Sequence, residues 1–252
     1  MKFFGIDLGW SSGASGLCCL NWVENRLALV NLERLTAIAD ILQWLDQHLT
    51  AGESAVVAVD APTLIPNASG MRLPDRLAHQ YFSRYHAGCY PANLGRPFAE
   101  RTVGFGLSLE ARGFIHAPHL SAPQPEGRYQ LEVFPHAAAI HLFQLDRILK
   151  YKKGRVAERR NELSRFRHLL LQSLPQIEPT LPLLDEPPRT DLPPIPAGGT
   201  ELKAVEDQLD SLLCAYTAAH WWYWGSDRNW VLGDRTSGYI VVPTPFGRLG
   251  TA

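Results

Sequence analysis

Residues 2–10, Lys-Phe-Phe-Gly-Ile-Asp-Leu-Gly-Trp, constrain the fold more than any other stretch. An apolar run of strand length carries one carboxylate, Asp7, near its C-terminal end and then breaks at Gly9. An ionised aspartate inside such a run is costly unless a cation pairs with it, and a bound metal is one such cation. Asp60, Glu132, Asp207 and Asp210 are the acids that make sense as partners of Asp7 around it. The plainer alternative is that Asp7 caps the turn that begins at Gly9.

Around this stretch the hydrophobic pattern sets out the remaining elements. Leu17–Val23 and Leu27–Asn31 read as two more strands joined by the turn Glu24-Asn25-Arg26, which predicts an antiparallel meander. Leu32, Leu35, Ile38, Leu42, Leu45 and Leu49 recur at helical spacing and predict a helix over 33–49. Residues 54–60 are almost continuously apolar, as in a parallel strand covered on both faces, and end in Asp60-Ala61-Pro62. Residues 61–127 read as an insertion or lid with one helix at 73–85. Strand character returns at 128–134 and Pro135 closes it before a helix at 136–145. Nine Lys or Arg against two acids make 147–167 a basic helical stretch, and 175–199 is a proline-rich irregular connection. Thr200 is the expected N-cap of a long helix reaching Trp222, with a last strand at 238–242.

This order predicts an α/β fold: a central mixed sheet of three antiparallel and then parallel strands, flanked by helices. It is the strand order of a ribonuclease H-like fold, although pattern alone does not select that fold from its neighbours. The expected organisation is a single domain over 1–252, with the lid at about 61–127 and a basic, proline-rich insertion at about 147–199. A formal net charge of −1 leaves no global field to recruit nucleic acid, so such a role needs a local patch. Cys18, Cys19, Cys89 and Cys214 form no C-x-x-C pair, which argues against a zinc ribbon or a disulfide framework and for a reduced, cytoplasmic setting. No signal peptide and no membrane span are expected.

In such a sheet the strands ending at Asp7 and Asp60 are central neighbours, so both carboxylates emerge at the edge where open α/β sheets bind ligands. Glu132 lies within a third apolar strand. Asp207 and Asp210 share a helix face, read as pointing away from the Val205/Leu209/Leu212 stripe. Each acid has a structural alternative: Asp60 as a turn initiator, Glu132 as a solvent-facing edge residue, Asp207 and Asp210 as solvated acids near a helix N-terminus. Paired histidines (His79 with His86, His116 with His119) lack a completing acid or thiol and read as ordinary loop residues.

Several blocks together carry a resemblance: Gly5–Trp10, Ala58–Pro62, Glu132–Ala137, Lys150–Gly154, Glu206–Ala215 and Gly238–Pro243. In order and spread over almost the whole chain, they resemble an uncharacterised family of predicted ribonuclease H-like nucleases. Members usually carry alanine after the last helix aspartate and cysteine before the Asp-Arg of the insertion; here these are Ser211 and Pro74. The resemblance implies phosphodiester hydrolysis with Mg²⁺ or Mn²⁺, and nucleic acid, DNA or RNA, as partner. It implies Asp7, Asp60, Glu132 and Asp210 as metal ligands of a two-ion site, with Asp207 as ligand or orienting group. Lys150, Lys152, Lys153 and Arg155 would meet substrate phosphates, or else form a solvated helix face. Trp221, Trp222, Tyr223 and Trp224 offer base stacking, core packing or a dimer contact. The competing expectations are an actin- or sugar-kinase-like phosphotransferase, with Ser11–Gly16 around phosphate, and a non-catalytic nucleic-acid- or protein-binding module.

Overall fold

The computed structural model describes residues 1–120, 123–186 and 189–245. Strands β1 (Lys2–Asp7), β2 (Ser15–Val23) and β3 (Arg26–Leu35) form the expected meander, and α1 (Ile38–His48) leads into β4 (Ala55–Val59). Then come α2 (Leu73–Phe82), α3 (Ala99–Glu110), β5 (Ile115–His116), β6 (Arg128–Glu132), α4 (Pro135–Leu142) and α5 (Val156–Ser173). A short β7–β8 hairpin (Asp185–Glu186, Arg189–Thr190) precedes α6 (Gly199–Trp224), and a second hairpin, β9 (Asn229–Asp234) with β10 (Gly238–Pro243), follows it.

The six-stranded sheet has the order β3-β2-β1-β4-β6-β5, antiparallel across β3, β2 and β1 and parallel from β1 onward. The expected mixed α/β sheet is therefore present, with β1 and β4 side by side at its centre. Alternation along the strands splits the core in two. Phe3, Val56, Ala58 and Leu131 pack with α4, α5 and α6 on one face. Phe4, Ile6, Val57 and Val59 pack with Ile41 and Leu45 of α1 and Phe105 and Leu109 of α3 on the other. No helix among the described residues is long and apolar enough to cross a membrane.

Helix α6 crosses β1 and β2 with its backbone against theirs. A Cβ on Gly5 would lie 1.9 Å from the Ser211 carbonyl oxygen and 2.2 Å from the Ala215 nitrogen, and one on Gly16 would lie 1.8 Å from the Asp207 carbonyl oxygen. Only glycine permits this approach, and it brings the acids of α6 down to the level of Asp7. Because the obstacle is backbone, Gly5→Ala is expected at the upper end of overpacking costs, about 3 kcal/mol, lowering Tm by roughly 6–12 °C. A thermal melt with unchanged Tm would show that α6 is not seated this way.

Several expectations need correction. Residues 33–37 are not helical: β3 runs to Leu35, paired with Ser15, so the apparent helical repeat borrowed Leu32 and Leu35 from a strand. The 61–127 segment holds two helices, and α3, which covers the sheet, was missed because its two glycines weaken the helical signal. Helix α5 begins only at Val156, so Arg147 through Arg155 precede it. Gly198, not Thr200, is the N-cap of α6. Strand β9 was also missed.

Candidate active site

The parallel pairing of β1 and β4 places Asp7 and Asp60 together at the carboxyl edge, where the Asp60 N–H donates to the Ile6 carbonyl at 2.9 Å. The turn-residue reading of either acid does not describe this pair, since both line one cleft of about 440 Å³. Loop residues Trp10–Ala14, lid residues Arg72, Asp75 and Gly88–Tyr90, and Lys152, Lys203 and Asp207 complete its walls. Trp10 is fixed to this floor by its indole N–H, which donates to the Asp60 carbonyl at 2.9 Å.

Asp207 and Asp210 are not solvated helix residues; they are 1% and 0% exposed. Helix α6 is buried on every side at this level because it lies between the sheet and the segment around α5, so the stripe read from sequence covers only part of its buried surface. Each of these buried α6 acids has protein partners. The Tyr151 hydroxyl donates to Asp210 Oδ1 at 2.6 Å, and Lys152 Nζ lies 2.8 Å from Oδ2. Asp207 takes Arg34 Nε at 2.9 Å and Lys203 Nζ at 2.7 Å. Lys203 also holds Glu206 at 2.7 Å, with Arg159 3.6 Å from the same carboxylate.

Glu132 lines the same cleft but is taken up by the lid. Leu131 and Val133 face the α6 side, so alternation turns Glu132 to the other. It is buried rather than an edge residue in solvent, and Arg72 grips both its oxygens, at 2.6 and 2.7 Å. Arg72 also bonds Asp75 at 2.7 Å, and Asp75 accepts from the backbone N–H groups of Arg72 and Ala92. This buried Glu-Arg-Asp cluster ties the start of α2, hence the lid, to the sheet.

Asp7 and Asp60 differ from all these acids. Among the described residues neither carboxylate has a hydrogen bond or an ion pair. Burial raises Asp7 well above the usual carboxylate range; Lys152 opposes the rise, and Asp210 and Asp60 add to it. The same desolvation, again opposed by Lys152, lifts Asp60 to about 6. Burial lifts Glu132 to about 7 against the pull of Arg72. Lys152 is depressed by burial, but Asp210 and Asp7 more than reverse this and keep it charged. His136, which lines the cleft, is pulled down to about 4 by burial and by Lys152, so its imidazole is neutral.

The four expected phosphate-binding cations have separate fates. Lys152 is committed to Asp210, and Lys153 lies in an adjoining cleft. Lys150 and Arg155 are exposed and do not line the acid cleft. Two of the α6 tryptophans are core residues: Trp221 and Trp222 are buried, Trp222 packs on Phe3 at 5.3 Å, and their indoles bond Pro118 and Pro125 carbonyls, whereas Tyr223 and Trp224 are half-buried. His79 and His116 bond protein groups, the Cys89 carbonyl and the Tyr239 hydroxyl.

The sequence reading missed Arg34, Arg72, Asp75, Tyr151 and Lys203. Lys203 was discoverable, since it precedes Glu206 and Asp207 by three and four residues on one helix. The Arg72–Asp75 spacing is that of a capping box. Nothing local announces that Arg72 meets Glu132.

The family model described as protein of unknown function (DUF429) matches residues 5–234. The chain belongs to this family. No curated protein and no solved structure matches it. The matched span runs from β1 into β9 and so takes in every candidate acid of this DUF429 member, together with the lid and its Arg72 anchor.

Proposed function

We propose that the chain is a metal-dependent hydrolase of phosphodiester bonds, built on a ribonuclease H-like domain, with Asp7 and Asp60 as the ligands of Mg²⁺ or Mn²⁺. One observation carries this reading: among the described residues two neighbouring carboxylates at the sheet's ligand-binding edge have no hydrogen bond or ion pair, while the other acids of the cluster do. Sheet order supports it as well, because β3-β2-β1-β4-β6 follows the sequence of antiparallel and parallel strands expected of that fold. The donor set consists of hard oxygens, with no thiolate or imidazole paired to it, and suits a hard cation that keeps several waters.

The sequence-based ligand set was larger. Glu132 is occupied by Arg72 and Asp210 by Lys152, and the described residues contain no group of three or more His, Cys, Asp or Glu arranged to hold a metal. Asp7 and Asp60 therefore form the proposed protein ligands, and a second ion would draw on substrate phosphate oxygens. A bound ion would supply an activated water and a Lewis acid for the phosphoryl oxygen. Lys152 offsets part of the negative charge at the cleft floor, Asp207 and Asp210 hold Lys203 and Lys152 in place, and the lid narrows access for water and substrate.

Lys152 also supports a second reading, in which this ammonium is the cleft's permanent counter-ion and the domain binds partners without catalysis. The phosphotransferase alternative would need a duplicated second domain, and the described residues contain one large sheet.

Titration of Mn²⁺ by calorimetry separates the first two. Saturable binding is expected for wild type and loss of it for Asp7→Asn. Because folded Asp60 holds its proton up to about pH 6, protons compete below that pH. Asp7, also raised by burial, adds a second competing proton, so apparent affinity should fall as pH drops, by up to about tenfold per unit for each displaced proton. No binding at pH 8, with or without a non-cleavable oligonucleotide, would leave the inert module.

A further inference from the structure

A second cleft of about 640 Å³ adjoins the first, and Gly88, Cys89 and Tyr90 line both. Its character is opposite. Arg76 and His79, one turn apart on α2, and Lys153, next to the inward-facing Lys152, supply its polar side chains. Arg76 and Lys153 are exposed and have no acidic partner among the described residues. Tyr90, on the ridge between the clefts, is 58% exposed. Arg96 lies 5.1 Å from the centre of its ring and Phe98 meets it edge to face at 6.0 Å, so the ring is braced while much of it stays open. The His79 ring bonds the Cys89 carbonyl at 2.9 Å and fixes the ridge backbone.

We propose that this cleft is a second binding site, taking the nucleotide next to the reacting phosphate of a single-stranded nucleic acid, with Arg76 and Lys153 on its phosphate and Tyr90 against its base. The hydrolase reading enters only in placing the reacting phosphate over Asp7 and Asp60. Unpaired cations suit a phosphate, and an exposed braced ring suits an unstacked base. Both clefts fall in the roughly 300–1,000 Å³ range of small-ligand sites, the scale of one nucleotide unit rather than of a double helix. A duplex also keeps its bases stacked and unavailable to Tyr90.

The test is fluorescence anisotropy with the full chain, a labelled ten-residue oligothymidylate and EDTA, so that no metal is involved. Arg76→Ala with Lys153→Ala should weaken binding at least tenfold and lower the log–log salt slope by about 1.4, twice the ~0.7 released per single-strand contact. Tyr90→Ala should weaken it about five- to hundredfold. Lys150→Ala with Arg155→Ala removes the same charge outside the cleft and should change little, and an unlabelled duplex of equal length should compete at least tenfold less well. Equal loss in both double variants, equal competition by the duplex, or no binding by wild type overturns the proposal. Manganese binding without oligonucleotide binding would reject this site and leave the hydrolase reading standing; oligonucleotide binding without manganese binding would do the reverse.

Discussion

Arg72→Met is expected to destabilise the protein by about 3–5 kcal/mol at pH 8, which lowers Tm by roughly 6–20 °C. Arg72 is almost fully buried and is the shared partner of Glu132 and Asp75, themselves buried. Methionine fills similar space but leaves two carboxylates, 0% and 5% exposed, without a cation at the wall of the cleft. The sign with pH follows from Glu132, whose folded pKa lies near 7 against an ordinary 4.5. Between those values the native state holds a proton that the unfolded chain has lost, so this group's contribution to stability falls as pH rises through the window. Without Arg72 the folded pKa climbs further, so the deficit of the variant should be smaller at pH 5 than at pH 8. Adding Glu132→Gln should recover part of it. Thermal or urea melts at both pH values provide the check, and a loss below about 1 kcal/mol would mean that water reaches the cluster.

Lys152→Met should cost about 3 kcal/mol at pH 8, the lower end for breaking a buried pair, because the lysine side chain is 30% exposed. The variant leaves Asp210 with Tyr151 alone and removes the strongest opposing charge from Asp7 and Asp60. Two further readouts give the experiment its value. Asp210→Asn in the same chain should lift much of the cost, which a double-mutant cycle measures as coupling. If Asp7 and Asp60 are metal ligands, loss of a competing cation should tighten Mn²⁺ binding severalfold, and saturating Mn²⁺ should restore stability by mass action. If Lys152 is instead the permanent counter-ion of an inert cleft, Mn²⁺ will leave the melting curve unchanged.

Much of this arrangement was legible along the chain. Asp7 and Asp60 could be placed together because each ends a short apolar run, and parallel neighbours necessarily finish at the same edge. Gly16 was read with the turn before the second strand; that it lies in β2, and that α6 comes close at it and at Gly5, is shown only by the fold. Helix α6 itself was plain from its length and apolar pattern. The solvation of its acids was misjudged, because acids near a helix start look the same in sequence whether water or a buried arginine faces them.

The sequence by itself determined the meander, the central pair of strands and the two carboxylates at their ends, since strand alternation and parallel pairing are set by neighbouring residues. Only the tertiary structure decided which charges are satisfied. Arg34 reaches Asp207 across 173 residues, Arg72 reaches Glu132 across 60, and Tyr151 reaches Asp210 across 59. A buried acid requires a partner, but any lysine, arginine or hydroxyl of the chain can serve, and local pattern does not rank them. That choice is made when the lid and the segment before α5 close over the sheet, and it leaves Asp7 and Asp60 as the two cleft acids without a hydrogen bond or ion pair among the described residues.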